Sequence, residues 1–318
     1  MLKAGGRYSP AAVAETTRIL PYDAETIAEA VRLIESGHPV AVGTETVYGL
    51  AADATNAEAV ARIYEAKGRP SFNPLIVHVP DLKTAERIGE FGSGARSLAQ
   101  VHWPGPLTLV VPLRGDAGIA GLVTAGLSTI AIRVPAHPAM RALLRATDRP
   151  LAAPSANASG SISPTKAEHV AKTLGGRIPL IIDAGPTERG LESTIVAATD
   201  GRLRLLRRGP IEVAGAIEAA GTSIEAPGQL ASHYAPSKPL RLNAVEAQAD
   251  EFLIGFGEVD GAMSLSPSGT LVEAAARLFE LLHAADESAE SRIAVAPVPD
   301  HGLGAAINDR LRRAAAPR

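Results

Sequence analysis

The segment from Lys67 to Val79 (KGRPSFNPLIVHV) concentrates side chains that could bind an anion. It places two cations, Lys67 and Arg69, beside a turn that Pro70 and Pro74 stiffen. Cations at the end of a helix are commonly solvated, since they complement the helix dipole there. A fixed arginine can instead bind a phosphate group through two hydrogen bonds, while lysine acts as a point charge. The sequence therefore leaves two interpretations of this turn, a solvated helix end and an anion site.

Two other segments carry polar side chains directly after apolar runs. Residues 44–46 (TET) follow a buried strand, and open α/β sheets bind ligands beyond the ends of such strands. The loop 154–157 (PSAN) combines small residues with the polar side chains of Ser155 and Asn157. Either segment alone is equally compatible with an ordinary exit from a strand, so each is weak evidence for a site.

Two polar residues, His78 and Arg133, lie within apolar strands. For His78 the commoner explanation is a core histidine whose hydrogen bonds are satisfied. Arg133 ends the run STIAIRV, and an unpaired buried guanidinium is costly. Arg133 therefore needs an anion, which either the protein or a ligand could supply.

The composition excludes several classes of protein. Hydrophobic residues make up 46% of the 318 residues and charged residues 20%, so a sizeable core is expected. Aromatic residues make up 3% and the net charge is −3, which argues against a stacking platform or a general affinity for nucleic acid. The absence of cysteine excludes disulfides and thiolate catalysis. Neither a signal peptide nor an apolar run of membrane-spanning length is present, so we expect a soluble, cytoplasmic protein.

The common nucleotide and metal motifs are absent from the sequence. It contains no GxxxxGK[ST], and no GxGxxG follows a predicted strand. No HExxH, paired-histidine or EF-hand spacing is present either, so we do not expect a metal site built by the protein.

Hydrophobic periodicity predicts alternating helices and strands over most of the chain. The predicted helices cover 24–36, 57–66 (capped by Thr55), 82–100 (broken near Gly92), 137–145, 164–174 (started by Pro164), 211–220, 270–286 and 305–313. The predicted strands cover 39–43, 75–79, 107–113, 128–134, 150–153, 180–183, 193–197, 203–207, 240–242, 252–256 and 293–298. Residues 222–238 lack a period and read as a linker. The last 80 residues then read as a small open α/β domain.

Seven segments, taken in order, are similar to the threonylcarbamoyl-AMP synthase family (the YrdC/TsaC type) in its long two-domain form. They are TETVYGLA (44–51), KGRPSFNPLIVHV (67–79), WPGPLT (103–108), IAIRVPAHP (130–138), APSAN (153–157), SPT (163–165) and LESTIV (191–196). The segment LASHYAP (230–236) and the C-terminal piece extend the resemblance over nearly the whole chain. One departure is Gly43, where the family commonly has proline.

This resemblance implies an α/β fold with an N-terminal, twisted, mixed domain that contains a large concave cleft. The implied boundaries are 1–221 for a YrdC-like catalytic domain, 222–238 for an active-site lid and 239–318 for the C-terminal open-sheet domain. The implied reaction joins L-threonine, bicarbonate and ATP into threonylcarbamoyl-AMP and releases pyrophosphate. Magnesium would arrive with the nucleotide. The product would pass to the proteins that modify adenosine 37 of tRNAs reading ANN codons.

The motif positions also imply a role for each matching residue. Lys67 and Arg69 are the predicted catalytic residues, because in-line displacement at phosphorus needs positioning and positive charge. The predicted ATP-binding residues are Lys67, Arg69, Asn73, Thr129, Ser155, Asn157, Ser163, Arg207 and Tyr234. The predicted threonine-binding residues are Thr46, His78, Arg133, Ala153 and Ser193. Under this reading the carboxylate of threonine is the anion that Arg133 needs.

Two other functions compete with this reading. A tRNA or double-stranded RNA binding module would use the basic cluster Arg202, Arg204, Arg207 and Arg208, although the net charge and the few aromatic residues count against it. Direct contact with RNA alongside catalysis is left open. A carbamoyl-phosphate-dependent transferase would need metal-site sequences that this chain lacks.

Overall fold

The computed structural model describes residues 16–219, 224–229 and 232–317. The larger sheet consists of β1 (Arg18–Pro21), β2 (Val40–Val42), β3 (Gly49–Asp53), β4 (Ile76–His78), β5 (Leu107–Pro112), β6 (Thr129–Arg133), β7 (Leu151–Ala152), β8 (Leu180–Asp183), β9 (Thr194–Thr199), β10 (Arg202–Arg207) and β11 (Ile217–Glu218). The helices along the same stretch are α1 (Ala24–Glu35), α2 (Ala57–Lys67), α3 (Leu82–Ile88), α4 (Ser93–His102), α5 (Gly121–Thr124), α6 (Pro138–Thr147) and α7 (Ala167–Leu174).

The larger sheet is mixed, with the strand order β1-β8-β2-β3-β7-β4-β6-β5-β9-β10-β11. Strands β4 and β6 are parallel, and β7 and β5 pair with them antiparallel on either side. Alternate residues of β2 face opposite sides: Val40 and Val42 pack in the apolar cluster that includes α1 and α6, and Ala41 packs in the cluster that includes α2. The mixed α/β class predicted for this part is confirmed.

The centre of the sheet has one face that packs in a small cluster without helical residues. Ile76, Val110, Ala131 and Ile195 contribute to this cluster, and the buried residue that covers it from outside the sheet is Ala226. His78 and Arg133, the polar residues at the ends of β4 and β6, line a space between the sheet and the segment 224–229. This space is the cleft that the sequence predicts.

The smaller sheet lies in the C-terminal part of the chain and is entirely parallel. Its elements are β12 (Leu240–Arg241), β13 (Glu251–Gly255), β14 (Met263–Ser264), α8 (Leu271–Glu287), β15 (Arg292–Val295) and α9 (Leu303–Ala314). The strand order is β12-β15-β13-β14. This arrangement confirms the predicted small open α/β domain. None of the described helices combines the length and apolarity that crossing a membrane requires.

Three predicted helix features are wrong. Residues 211–216 contain no helix, because Gly215 turns the chain at φ 77° and Ile217–Glu218 form β11 beside β10. Helix α7 begins at Ala167 and not at Pro164, whose carbonyl accepts a hydrogen bond from the Tyr48 amide.

The third error concerns the cap of α2. Asn56 provides it, and its side-chain oxygen accepts from the amides of Glu58 and Ala59. Thr55, the predicted cap, donates instead to the Asp53 carboxylate through its amide and its hydroxyl.

Four short strands, β1, β3, β11 and β14, are absent from the sequence-based prediction. Strand β3 (GLAAD) is buried at every position and consists largely of glycine and alanine, so it has neither alternation nor strong β-formers. The predicted domain boundary after residue 221 falls within 220–223, outside the described residues.

Candidate active site

A cavity lies over the centre of the larger sheet. We call the side formed by the larger sheet and its loops the cavity floor, and the side formed by residues 227–228 and 233–234 the cavity roof. Of the predicted site residues, those that line the cavity are Thr46, Arg69, His78, Arg133, Ala153, Ser155, Ser193, Arg207 and Tyr234. Those that lie outside its lining are Lys67, Asn73, Thr129, Asn157 and Ser163.

Arg69 presents a fixed cation to the cavity. Helix α2 ends at Lys67 because Gly68 adopts a left-handed conformation (φ 59°), and this turn directs Arg69 toward the sheet. The Arg69 Nε donates to the Asn73 carbonyl at 3.1 Å, and Nη2 donates to the Pro74 carbonyl at 2.8 Å. Burial lowers the pKa of Arg69 to about 10, so the guanidinium remains charged at neutral pH. The turn thus holds a cation by neutral carbonyls and leaves its charge for a ligand.

Lys67 has a different environment from Arg69. Its Nζ donates to the carbonyls of Ser155 at 2.6 Å and Asn157 at 2.5 Å, and it lies 3.4 Å from the Asn157 Oδ1. Burial, followed by the charge of Arg69, lowers the pKa of Lys67 well below its ordinary value. Lys67 therefore holds the loop 154–157 in place. Its Nζ is directed at these carbonyls and not at the cavity, where the phosphate was predicted.

Arg133 and Glu45 form a buried ion pair in the cavity floor. The Arg133 Nη2 donates to the Glu45 Oε1 at 2.6 Å, and Nη1 donates to the Thr46 hydroxyl at 2.9 Å. Burial raises the pKa of Glu45, but the attraction of Arg133 outweighs it and the net pKa lies below its ordinary value. The anion that pairs with Arg133 is thus a protein carboxylate, one of the two sources that the sequence left open. Arg133 still lines the cavity beside Thr46.

His78 and Asn73 carry buried polar atoms without hydrogen-bond partners among the described residues. Both ring nitrogens of His78 and both side-chain amide atoms of Asn73 are in this state. Burial, followed by the charge of Arg133, lowers the pKa of His78 to about 3, so the ring is neutral at physiological pH. Buried polar groups in folded proteins are normally hydrogen-bonded. A bound ligand could supply the missing hydrogen bonds of the His78 ring. The core histidine with satisfied hydrogen bonds, which the sequence favoured, is therefore not observed.

Ser193 and Arg207 are held together at the other side of the floor. The Arg207 Nε donates to the Ser193 carbonyl at 3.0 Å, and Nη2 donates to its hydroxyl at 3.1 Å. The same hydroxyl lies 2.7 Å from the Thr108 Oγ1. Two further predicted site residues lie outside the cavity lining. The Asn157 Nδ2 donates to the Ser161 carbonyl, and Thr129 begins β6 opposite Pro112.

The cavity roof is anchored by the C-terminal part of the chain. Tyr234 is buried (1% exposed) in a left-handed backbone conformation (φ 62°). Its ring centre lies 5.6 Å from that of Phe279 on α8, and the Arg310 guanidinium of α9 lies 5.2 Å from it. A side chain at Gly228 (φ 82°) would come within 2.8 Å of the Tyr234 hydroxyl, so glycine permits this close approach.

Glu192 and Arg310 are functional candidates that sequence reasoning missed. Glu192 lines the cavity, its Oε1 accepts from the Ser163 hydroxyl at 2.5 Å and its Oε2 accepts from the Arg310 Nε at 2.8 Å. A charged residue inside the apolar run LESTIV was a usable signal for Glu192. No local signal identified Arg310, because a basic residue near the end of an amphipathic helix is ordinarily solvated.

The arginines proposed as an RNA-binding cluster are largely neutralised. Arg204 forms a two-fold hydrogen-bonded pair with Glu225, at 2.7 and 2.6 Å. Arg208 pairs with Glu218, and Arg207 is buried in the cavity wall. These contacts occupy three of the four arginines of the cluster, and Arg202 is exposed.

Comparison with known proteins identifies relatives along nearly the whole chain. A family model described as "Telomere recombination", for the Sua5, YciO and YrdC proteins, matches residues 32–209. A second, described as "Threonylcarbamoyl-AMP synthase, C-terminal domain", matches residues 196–316. The threonylcarbamoyl-AMP synthase of Bacillus subtilis is 41% identical, covering 92% of this chain and 93% of that protein. The corresponding Pyrococcus abyssi protein is 39% identical, covering 90% and 92%.

A solved structure extends the similarity from sequence to fold. P. abyssi Sua5, determined in complex with L-threonine, superposes with a TM-score of 0.85 at 35% identity, covering 94% of this chain and 97% of that one. Both domains are therefore included in the match. On these similarities the chain belongs to the threonylcarbamoyl-AMP synthase family of nucleotidyl-transfer enzymes.

Proposed function

We propose that the protein converts L-threonine, bicarbonate and ATP into threonylcarbamoyl-AMP and pyrophosphate. The observation that carries the proposal is a single cavity that joins a fixed cation, Arg69, to the unpartnered ring of His78 and the Arg133–Thr46 pair. An adenylate-forming reaction needs these two neighbouring environments, one for phosphates and one for a small amino acid. Membership in the family supports the same reaction.

The chemistry requires positioning and charge from the protein rather than a covalent nucleophile. The threonine amine combines with bicarbonate to give a carbamate and water. A carbamate oxygen then forms a bond to the α-phosphorus of ATP, and the bond to the β-phosphate oxygen breaks, so that pyrophosphate leaves. Arg69 would stabilise the negative charge that develops on the transferred phosphoryl group and on pyrophosphate.

The two sides of the cavity divide the substrates between them. We assign the ATP phosphates to Arg69 and Asn73, the rest of the nucleotide to Thr129, Ser155, Asn157, Ser163, Arg207 and Tyr234, and threonine to Thr46, His78, Arg133, Ala153 and Ser193. Lys67 keeps a catalytic role in this scheme through the loop 154–157, to which its hydrogen bonds go. The neutral His78 ring can donate one hydrogen bond and accept another from threonine.

Several wider features belong to the same proposal. The nucleotide enters as its magnesium complex, so the ion is part of the substrate. The enzyme works in the cytoplasm and passes its product to the proteins that modify adenosine 37 of tRNAs reading ANN codons. Residues 1–221 form the catalytic domain, 222–238 the lid and 239–318 the C-terminal domain.

The decisive experiment supplies the purified protein with MgATP, labelled bicarbonate and L-threonine. We expect labelled threonylcarbamoyl-AMP and an equal amount of pyrophosphate, neither of which forms when threonine or bicarbonate is omitted. L-Serine in place of threonine serves as the matched control for amino-acid recognition. Tight binding of tRNA without product formation would favour the RNA-binding alternative and overturn the proposal.

A further inference from the structure

Arg310 lies on α9 in the C-terminal domain but reaches the wall of the cavity. Its side chain is fully buried (0% exposed). Nε donates to the Glu192 Oε2 at 2.8 Å, Nη1 to the Asp309 Oδ2 at 2.7 Å and Nη2 to the Arg208 carbonyl at 2.9 Å. The guanidinium also lies 5.2 Å from the centre of the Tyr234 ring. One side chain therefore contacts both the floor and the roof of the cavity.

A buried ion pair of this kind is a poor device for stability alone. Removing two charges from water costs free energy that their attraction only partly returns, and well-packed apolar residues often stabilise a protein equally well. An arginine in this position is better explained by the geometry that it imposes. Its planar guanidinium directs five N–H groups in fixed directions, and three of its nitrogens donate to three different partners here.

The geometry extends from Arg310 through Glu192 to Ser163. Burial raises the pKa of Glu192, but the charges of Arg310 and Arg207 outweigh it and hold the net pKa below its ordinary value. Glu192 is therefore an ionised carboxylate, which can only accept hydrogen bonds. Ser163 donates its single hydroxyl proton to this carboxylate at 2.5 Å. Ser163 is fully buried and lies outside the cavity lining, so Glu192 is the member of this set that faces the cavity.

We propose that Arg310 is a positioning residue for the nucleotide. It fixes the carboxylate of Glu192, which lines the cavity, and it holds the ring of Tyr234, which we assign to the nucleotide, in the roof. The inference rests on the proposed ATP-dependent function. It gives the C-terminal domain a part in shaping the active site.

The test compares two variants that each remove an arginine of the C-terminal domain from an ion pair with a buried carboxylate. Arg310→Met removes the guanidinium and keeps an unbranched side chain of about the length of the aliphatic part of arginine. Arg241→Met breaks the pair with buried Glu251, whose bonds measure 2.9 and 2.6 Å and which lies outside the cavity lining. Calorimetric titration with MgATP measures the dissociation constant. We expect it to rise at least tenfold in Arg310→Met and to stay within twofold of the wild type in Arg241→Met, although both melting temperatures fall.

A double variant separates positioning from charge neutralisation. Adding Glu192→Gln to Arg310→Met removes the unpaired buried carboxylate, so we expect the melting temperature to recover while ATP binding remains at least tenfold weaker. This variant also keeps the inference testable if Arg310→Met alone does not fold. Recovery of ATP affinity together with the melting temperature would overturn the inference. A wild-type protein that binds ATP without threonine- and bicarbonate-dependent pyrophosphate release would instead overturn the proposed function and leave the positioning of Arg310 standing.

Discussion

The floor and the roof of the cavity are held in place by different kinds of contact. In the floor, Arg133 and Glu45 form an ion pair with side chains only 4% and 5% exposed. In the segment 224–229, which carries the roof residues 227–228, Glu225 pairs with Arg204, and their side chains are 27% and 33% exposed. Buried pairs are costly to break, whereas exposed pairs contribute little to stability. The difference indicates a preformed floor, which selects and orients the substrates, beneath a segment 224–229 that can separate from it at low cost, while Tyr234 stays anchored by Phe279 and Arg310.

Arg69→Met should have the largest effect on catalysis, because it removes the cation that the floor holds toward the phosphates. We expect kcat/KM for pyrophosphate release to fall at least 1000-fold, which corresponds to about 4 kcal/mol of lost transition-state stabilisation. Circular dichroism should remain unchanged, since the Arg69 hydrogen bonds reach only the carbonyls of its own turn. The exposed Lys83 supplies the control variant Lys83→Met. Normal turnover in Arg69→Met would show that Arg69 does not bind the ATP phosphates.

Glu45→Gln should have the next largest effect and should act on stability as well as activity. It leaves the Arg133 guanidinium buried without its carboxylate, which costs roughly 3 kcal/mol of unfolding free energy. Urea denaturation measures this loss, and steady-state kinetics should show a higher KM for threonine with a smaller change in the KM for ATP. A change in stability below about 1 kcal/mol would mean that the floor is not preformed by this pair.

The burial of His78 in the floor can be tested through the pH dependence of the unfolding free energy. Its pKa is about 3 in the folded protein, below the ordinary value of 6.5, so the unfolded chain binds a proton that the folded chain does not. The stabilising contribution is complete above pH 6.5 and is lost as the pH falls toward 3. Between pH 6 and 4.5 the unfolding free energy of the wild type should therefore fall by up to about 1.4 kcal/mol per pH unit more than that of His78→Gln. Parallel curves for the two proteins would show that His78 is not buried as a neutral ring.

The sequence predicted the floor better than the roof, for a physical reason. Residues such as His78 and Arg133 end short apolar strands, so local patterns locate both the strand and the side chain that ends it. Tyr234 was placed from its motif alone, and its partners Phe279 and Arg310 come from helices far along the chain. Contacts between distant segments leave no periodic signal.

The sequence alone could not settle the role of a floor residue that has two possible partners. The sequence left either a protein carboxylate or a ligand carboxylate as the partner of Arg133, and Glu45 lies 2.6 Å away. Lys67 and Arg69, two residues apart, were given the same role, although a left-handed glycine between them sends their side chains to different places. The sequence identifies which residues are polar and buried, and the tertiary structure decides which of them remain available to a ligand.

Glu225→Gln should have the smallest effect on stability and the clearest effect on the roof. The pair with Arg204 is partly exposed, so its loss should cost less than about 1 kcal/mol of unfolding free energy. The same change releases the segment that carries Pro227 and Gly228, which line the cavity. Stopped-flow displacement of a fluorescent ATP analogue should therefore show severalfold faster dissociation with little change in the association rate. Glu218→Gln, which breaks the exposed pair with Arg208, is the matched control and should leave dissociation unchanged. Equal dissociation rates in wild type and Glu225→Gln would show that the roof is held as rigidly as the floor, because Arg310 and Phe279 then suffice to keep Tyr234 over the cavity.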